Sequence, residues 1–364
     1  MNTYKLLTPG PLTTTSTVKA TMLFDRCTWD DDYKKITQKI RRQLLEIAGA
    51  SPEVYSTVLM QGSGSFGVEA VLTSAIKATD KCLIITNGAY GDRLVMMARY
   101  LGIHYVVYSV PYDQIPDQAE ISKLLREDQA ITHLAMVHCE TTTGIVNPLA
   151  AIAAIAQEYD KILIIDAMSS FGGIAMNVQN LGIDYLISSA NKCIQGVPGF
   201  CFIVAKLDKL LTCRGNSRSL VLDLYDQWQC MDKDGKWRYT SPTHVVAAFS
   251  QALDELEAEG GVAVRSQRYQ SNNNLLRQML NRLGIHSYIA TEFQSPIITT
   301  FFFPTENFNF NNFYHYVKER GFVLYPGKLT AIDTFRIGNI GEIYEEDILQ
   351  LCNIIEEYMR MLKQ

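Results

Sequence analysis

Short apolar runs alternating with longer amphipathic stretches constrain this chain more than any other feature. Strand-like runs sit at 82–85, 105–110, 134–138, 162–165, 185–187 and 200–204. Helical patterns lie between them, for example at 66–78, 92–100 and 149–158. Uninterrupted apolar runs fit strands buried on both faces, and helices between such strands make the crossovers of a parallel sheet. The expected fold class is therefore α/β, with a mostly parallel sheet and helices on both faces. After about residue 245 the texture changes. Two long helical patterns at 245–259 and 264–283 precede strand-like runs around 297–303 and 322–325, a helix near 310–320 and a closing amphipathic helix at 345–362. This order is α+β. The chain thus divides into an N-terminal arm at 1–15, a large domain at 16–245 and a small C-terminal domain at 246–364.

Composition narrows the function classes. A hydrophobic content of 47% can fill a sizeable core. The net charge of -5 and the lack of a dense basic run leave nothing to neutralise phosphates along a nucleic acid, so none is expected as a partner. The eight cysteines, at 27, 82, 139, 193, 201, 213, 230 and 352, form no CxxC pair and several lie in apolar runs. That pattern suits reduced thiols in a cytoplasmic enzyme. The histidines show no metal-binding spacing, so no metal is expected. No apolar run approaches the ~18 residues that cross a bilayer, and residues 1–17 lack the make-up of a secretory signal.

Two residues at strand ends carry chemistry. Asp166 closes the run Ile162-Leu163-Ile164-Ile165, and Lys192 follows Tyr185-Leu186-Ile187 and a short polar stretch. In an open α/β sheet, ligands bind at that edge. A carboxylate and an amine presented there suit a pyridoxal phosphate enzyme: the amine joins the cofactor aldehyde, and the carboxylate keeps the pyridine nitrogen protonated. A strand-end salt bridge is the plain alternative.

Other motifs are read beside them. Gly62-Ser63-Gly64-Ser65-Phe66-Gly67 has the G-x-G-x-x-G spacing of a dinucleotide loop, which also wants an acid about 20 residues on. Asp80 has the spacing but precedes the next strand, and Thr86 and Asn87 occupy the acid's place. A simpler reading has glycines admitting an anion to the start of a helix near Phe66; a helix cap in a tight turn remains the alternative. Tyr90, in Asn87-Gly88-Ala89-Tyr90-Gly91, stands where a ring stacks on a flat cofactor or simply packs. The hydroxyls of Thr141-Thr142-Thr143 bind a cofactor or substrate, or form a turn. His138 and Cys139 are neighbours on one strand and face opposite ways, which disfavours a thiol–imidazole pair. Arg336 lies in an apolar context and either meets an internal acid or receives an anionic ligand. Arg93 is a candidate for a second anion contact or a surface ion pair.

Taken together, these motifs resemble the fold-type I pyridoxal phosphate enzymes, in the branch containing alanine–glyoxylate and 2-aminoethylphosphonate–pyruvate transaminases. The resemblance begins at Leu7-Thr8-Pro9-Gly10-Pro11 and runs through Gln61-Gly62-Ser63-Gly64, Asn87-Gly88-Ala89-Tyr90 and Val137-His138-Cys139-Glu140-Thr141. It continues through Asp166-Ala167-Met168-Ser169-Ser170, Ser189-Ala190-Asn191-Lys192, Ser241-Pro242-Thr243-His244 and Tyr325-Pro326-Gly327-Lys328-Leu329-Thr330. It implies a large domain with a sheet of the seven-stranded type, a smaller C-terminal domain and pyridoxal 5'-phosphate as cofactor. Lys192 matches the Schiff-base lysine and Asp166 the pyridine-nitrogen partner. Ser63, Gly64 and Ser65 match the phosphate cradle, Tyr90 the stacking aromatic, Thr143 a position near the ring, and Asn191 a phosphate contact. Thr240 and Thr243 match a segment that reaches the phosphate of the neighbouring subunit, which implies a homodimer with active sites at the interface. Arg336 matches the arginine that receives the substrate anion. The implied reaction moves the amino group of 2-aminoethylphosphonate to pyruvate. The alternatives are an alanine– or serine–glyoxylate transaminase, or a lyase of the cysteine-desulfurase kind. The lyase would need a cysteine in a mobile loop, and no cysteine has that setting.

Overall fold

The structure is a computed structural model that describes residues 4–327, 329 and 331–362. Residues 1–3 of the expected arm, 363–364 of the expected small domain, and Lys328 and Thr330 lie outside the described residues.

Seven strands make the main sheet: β1 (Tyr55–Gln61), β2 (Lys81–Thr86), β3 (His104–Ser109), β4 (Ile131–Val137), β5 (Ile162–Asp166), β6 (Tyr185–Ser189) and β7 (Phe200–Lys206). Their order across the sheet is β1-β7-β6-β5-β4-β2-β3. Only β7 runs antiparallel to its neighbours, so β1 to β6 all point the same way. Their carboxyl ends therefore share one edge, where Gln61, Thr86, Val137, Asp166 and Ser189 stand.

The apolar runs are continuous because each strand feeds two cores. Leu163 and Ile165 join the core on one face, with Leu134 and Phe202, while Ile164 joins the other, with Ala135 and Ile203. Period-two alternation sends neighbours to opposite faces, and helices cover both. Only β3, at the edge, alternates with solvent.

One strand of this sheet carries no apolar-run signal. Strand β1 opens with Tyr55, Ser56 and Thr57. The Ser56 hydroxyl accepts from Arg41 (2.9 Å) and Trp228 (3.1 Å), and Thr57 donates to the Arg41 carbonyl, so polar residues are buried at little cost. The arginine comes from helix Asp31–Ala48, which is capped by Asp30 and ended by Gly49 at φ 61°.

The C-terminal part holds a three-stranded antiparallel sheet in the order Ile298–Phe302, Thr334–Gly338, Tyr325–Pro326. Helices Gly261–Arg282, Phe310–Glu319 and Glu345–Met361 enclose a separate core around Phe301, Phe313 and Phe335. The expected strand at 322–325 is two pieces. Phe322–Val323 pairs in parallel with Lys5–Leu6 of the arm, and Tyr325–Pro326 pairs with Thr334–Gly338. The arm is thereby tied to the C-terminal part and led past the carboxyl edge of the main sheet. Among the described residues, no helix is long and apolar enough to cross a membrane.

Candidate active site

A cleft of about 180 Å³ opens at the carboxyl edge. Seven of the expected site residues line it: Ser63, Gly64, Ser65, Tyr90, Asp166, Asn191 and Lys192.

Helix Gly64–Ala75 starts at the cleft, two residues earlier than its sequence suggests, with Ser63 at the N-cap position. The Ser63 side chain makes no capping bond, so its hydroxyl is not consumed by the helix. The first-turn amides and the positive end of the helix dipole face the cleft. A Cβ at Gly64 would collide with Met168 Sδ, which explains the glycine by close approach. One wall is thus built to accept an anion.

Tyr90 lies in the first turn of helix Ala89–Tyr100. One turn on, the Arg93 guanidinium stands 4.9 Å from the Tyr90 ring centroid, and its Nη1 donates to Ser65 Oγ (3.3 Å). Among the described residues Arg93 makes no ion pair, so the surface pairing is not what the structure holds. It lines the cleft.

Asp166 ends β5 at the base of the cleft, with Oδ1 accepting from Met168 N–H (2.9 Å). Burial pushes its carboxyl up to about 6; the Met168 bond and the charges of Lys192 and Arg93 oppose that, and Glu140 adds to it. Lys192 donates from Nζ to the Pro9 carbonyl (2.7 Å). A Cβ at Gly10 would lie 2.8 Å from Lys192 Nζ, so the arm rests directly on the lysine. Ser189 Oγ, also at the cleft, is buried without a hydrogen-bond partner among the described residues.

Four expected residues stand elsewhere. Thr143 Oγ1 donates to the Tyr112 carbonyl (3.2 Å), while Thr141, two residues earlier, lines the cleft. Thr240 is exposed and Thr243 is half-buried, its hydroxyl 3.5 Å from His244 Nδ1. Neither lines the cleft of its own chain. Arg336 donates from Nε to Pro326 O and from Nη1 to Thr141 O, each at 3.0 Å, and hydrogen-bonds Tyr90. Among the described residues no acid pairs with it. It backs the cleft wall through Thr141 and Tyr90.

His138 and Cys139 do separate. His138 Nδ1 meets Ser170 Oγ (2.9 Å), and burial pulls its imidazole down to about 4. Burial pushes the Cys139 thiol up to about 11. Burial disfavours the charged form of both groups, which argues against a thiolate–imidazolium pair. Sequence reading named Thr141 only as one hydroxyl of its cluster and passed over Ser189 and Glu140. Only the last left a trace, as an acid inside an otherwise uncharged segment.

The family model described as aminotransferase class-V matches residues 26–341. The chain is 62% identical over 359 residues to 2-aminoethylphosphonate–pyruvate transaminase of Lysinibacillus sphaericus, covering 99% of this chain and 98% of that protein. It is 56% identical over 355 residues to the enzyme of that name from Bacillus cereus, covering 97% of each. The solved alanine–glyoxylate aminotransferase from Nostoc sp. superposes with a TM-score of 0.91 at 24% identity, over 99% of this chain and 96% of that one. Pyridoxamine–pyruvate aminotransferase from Mesorhizobium loti does so at 0.92 and 20% identity, over 100% and 94%. These two structural likenesses bear on the fold alone, which all share as a mostly parallel α/β sheet.

Proposed function

We propose that this chain, which belongs to the class-V aminotransferase family, moves the amino group of 2-aminoethylphosphonate to pyruvate, giving phosphonoacetaldehyde and L-alanine. The observation that carries this reading is the 62% identity to a transaminase of that name along 99% of the chain. On this reading the chain acts in phosphonate degradation, as a cytoplasmic enzyme.

The cofactor we assign is pyridoxal 5'-phosphate, whose protonated ring, when bound, draws electrons from the substrate carbon bearing nitrogen. The cleft residues fit such a group. The Gly64 helix start, with Ser63 and Ser65, offers amides and hydroxyls to a phosphate, and Asn191 adds a polar contact. The buried Asp166 carboxyl, held up by desolvation, gains a cationic partner in a ring nitrogen. The Ser189 hydroxyl, buried without a partner among the described residues, gains a polar neighbour.

The residues then divide the work. Lys192 would hold the cofactor through Nζ, and the same Nζ, when free, is the group that would take a proton from the carbon bearing nitrogen and return one. The Pro9 carbonyl holds that Nζ at the cleft. Asp166 would keep the ring nitrogen protonated, and Tyr90 would pack against the cofactor. Arg336 receives the phosphonate or the carboxylate in turn, because its donors form a fork that suits both anions. Its bonds to Pro326 O and Thr141 O fix the plane of the guanidinium. Thr240 and Thr243 serve the cleft of a partner copy in a homodimer.

The test is spectroscopic. Holoprotein mixed with 2-aminoethylphosphonate should lose the visible absorbance of its bound cofactor, and pyruvate should restore it. Bleaching by serine with none by 2-aminoethylphosphonate would overturn the substrate assignment; L-alanine, as the product, bleaches the protein by the reverse half-reaction. Lys192→Ala should lose both the absorbance and turnover.

A further inference from the structure

We propose that Glu140 is a positioning residue whose buried carboxylate clamps the first turn of the Tyr90 helix and steadies the turn that orients Arg336. The clamp rests on the reading of the cleft as a cofactor site, because Tyr90 and Arg336 take their importance from it.

Glu140 lies just past β4, in the two-residue strand Cys139–Glu140 that pairs with Ile145–Val146. Its side chain is fully buried, and among the described residues no cation pairs with it. Enclosing a carboxylate is expensive unless donors surround it. Four do. Oε2 accepts the backbone N–H groups of Tyr90 and Gly91, both at 3.1 Å. Oε1 accepts the Thr142 N–H (3.2 Å) and its hydroxyl (2.6 Å).

The first pair explains the arrangement. Tyr90 and Gly91 are the second and third residues of helix Ala89–Tyr100, and first-turn amides have no acceptor within their own helix. A Ser, Asp or Asn at the N-cap would normally supply one. Here the N-cap is Gly88, which has no side chain. Glu140, 50 residues away in sequence, fills the vacant role and sets its negative charge at the positive end of the helix dipole. A Cβ at Gly88 would collide with Glu140 Cγ and Cδ, so the missing cap and the distant carboxylate are one fitted feature.

The second pair extends the clamp. Thr142 Oγ1 donates to Glu140 Oε1 and accepts from Ala89 N–H (3.0 Å), so the turn and the helix start are bonded twice. The same turn presents the Thr141 carbonyl to Arg336 Nη1. The Tyr90 ring and the Arg336 guanidinium thus take their places from one short segment. An amide cannot replace the carboxylate: glutamine has one acceptor oxygen, and its NH2 would face either the two helix amides or the two Thr142 donors.

The test uses Glu140→Gln with two readouts. In the apoprotein, hydrogen exchange across residues 86–94 should quicken about five- to tenfold, the size of a lost helix cap. Cofactor affinity, followed by visible absorbance well below the unfolding temperature, should fall about tenfold, whereas in a Tyr90→Leu background the same substitution should add less than about twofold. Unchanged exchange at 86–94 would overturn the clamp, and so would effects of Glu140→Gln and Tyr90→Leu that simply multiply. Should Glu140→Gln fail to fold, Thr142→Val removes one donor and the link to Ala89, and must quicken the same exchange or sink the proposal. The exchange readout needs no cofactor. A wild-type protein that takes up no pyridoxal phosphate would therefore count against the proposed function, while exchange still decides the role of Glu140.

Discussion

Asp166 shows what a functional position costs a fold. Its carboxyl is enclosed and receives one backbone bond, so in the apoprotein burial raises it from 3.8 to about 6. The folded chain therefore binds this proton more tightly than the unfolded chain does. The sign follows: the penalty is full above about pH 6, shrinks as pH falls through 6, and is gone below about 4, where the unfolded chain is protonated too. The size is roughly 3 kcal/mol, at 1.36 kcal/mol for each pKa unit. Asp166→Asn should raise the apoprotein melting temperature at pH 7.5 and flatten its dependence between pH 4 and 7, while lowering turnover by about a hundredfold or more. Thermal melts of both apoproteins across that range decide it; parallel curves would show that Asp166 bears no such penalty. Asp166 and Lys192 were legible in the sequence because each follows an apolar run, and a strand end fixes which edge a side chain meets. Glu140 was not, because its donors are backbone amides of a helix start that sequence spacing cannot bring near. The choice between Thr141 and Thr143 turned on the facing of a tight turn, which residue type alone leaves open.

Helices and strands were legible where one periodicity governs them. The buried strands read as runs because both faces are covered, and the long helices after residue 240 read as amphipathic stripes. Strand β1 escaped because Ser56 and Thr57 interrupt its run, for reasons that lie in Arg41 and Trp228. The expected domain join at 245 falls inside helix Thr243–Glu259. That helix buries Val246, Phe249 and Leu253 in the core of the main sheet, with Phe249 edge-on to Phe200 (5.1 Å). Gly260, at φ 108°, ends it in the left-handed conformation that glycine permits. We propose that the helix belongs to the large domain and that the join follows it. Phe249→Ala should then cost about 3–5 kcal/mol in urea unfolding. A loss below about 1 kcal/mol would return the helix to the C-terminal part.

At the scale of the whole molecule, one chain leaves its cleft incomplete in the proposed reaction. Thr240 and Thr243 stand at the surface, away from their own cleft. Large apolar side chains crowd the same stretch. Tyr239 is adjacent, and Leu220, 72% exposed, offers its carbonyl to Arg238. Phe24, 65% exposed, neighbours Asp25, whose Oδ1 meets His244 Nε2 (3.2 Å). Exposed apolar residues beside polar ones are what a twofold interface buries. If each cleft draws Thr240 and Thr243 from a partner, lesions in the two places should complement. A Lys192→Ala chain has no working cleft but lends intact threonines; a Thr240→Val, Thr243→Val chain has the lysine but lends none. In their hybrid, one cleft carries both lesions and the other carries neither. Unfolding and refolding the two together should make half of the dimers hybrid, with one sound cleft in two, and so recover about a quarter of wild-type activity at a cofactor concentration that fills wild-type clefts and leaves those of the threonine variant empty. Activity no greater than the mean of the two parents would mean that each chain completes its own cleft.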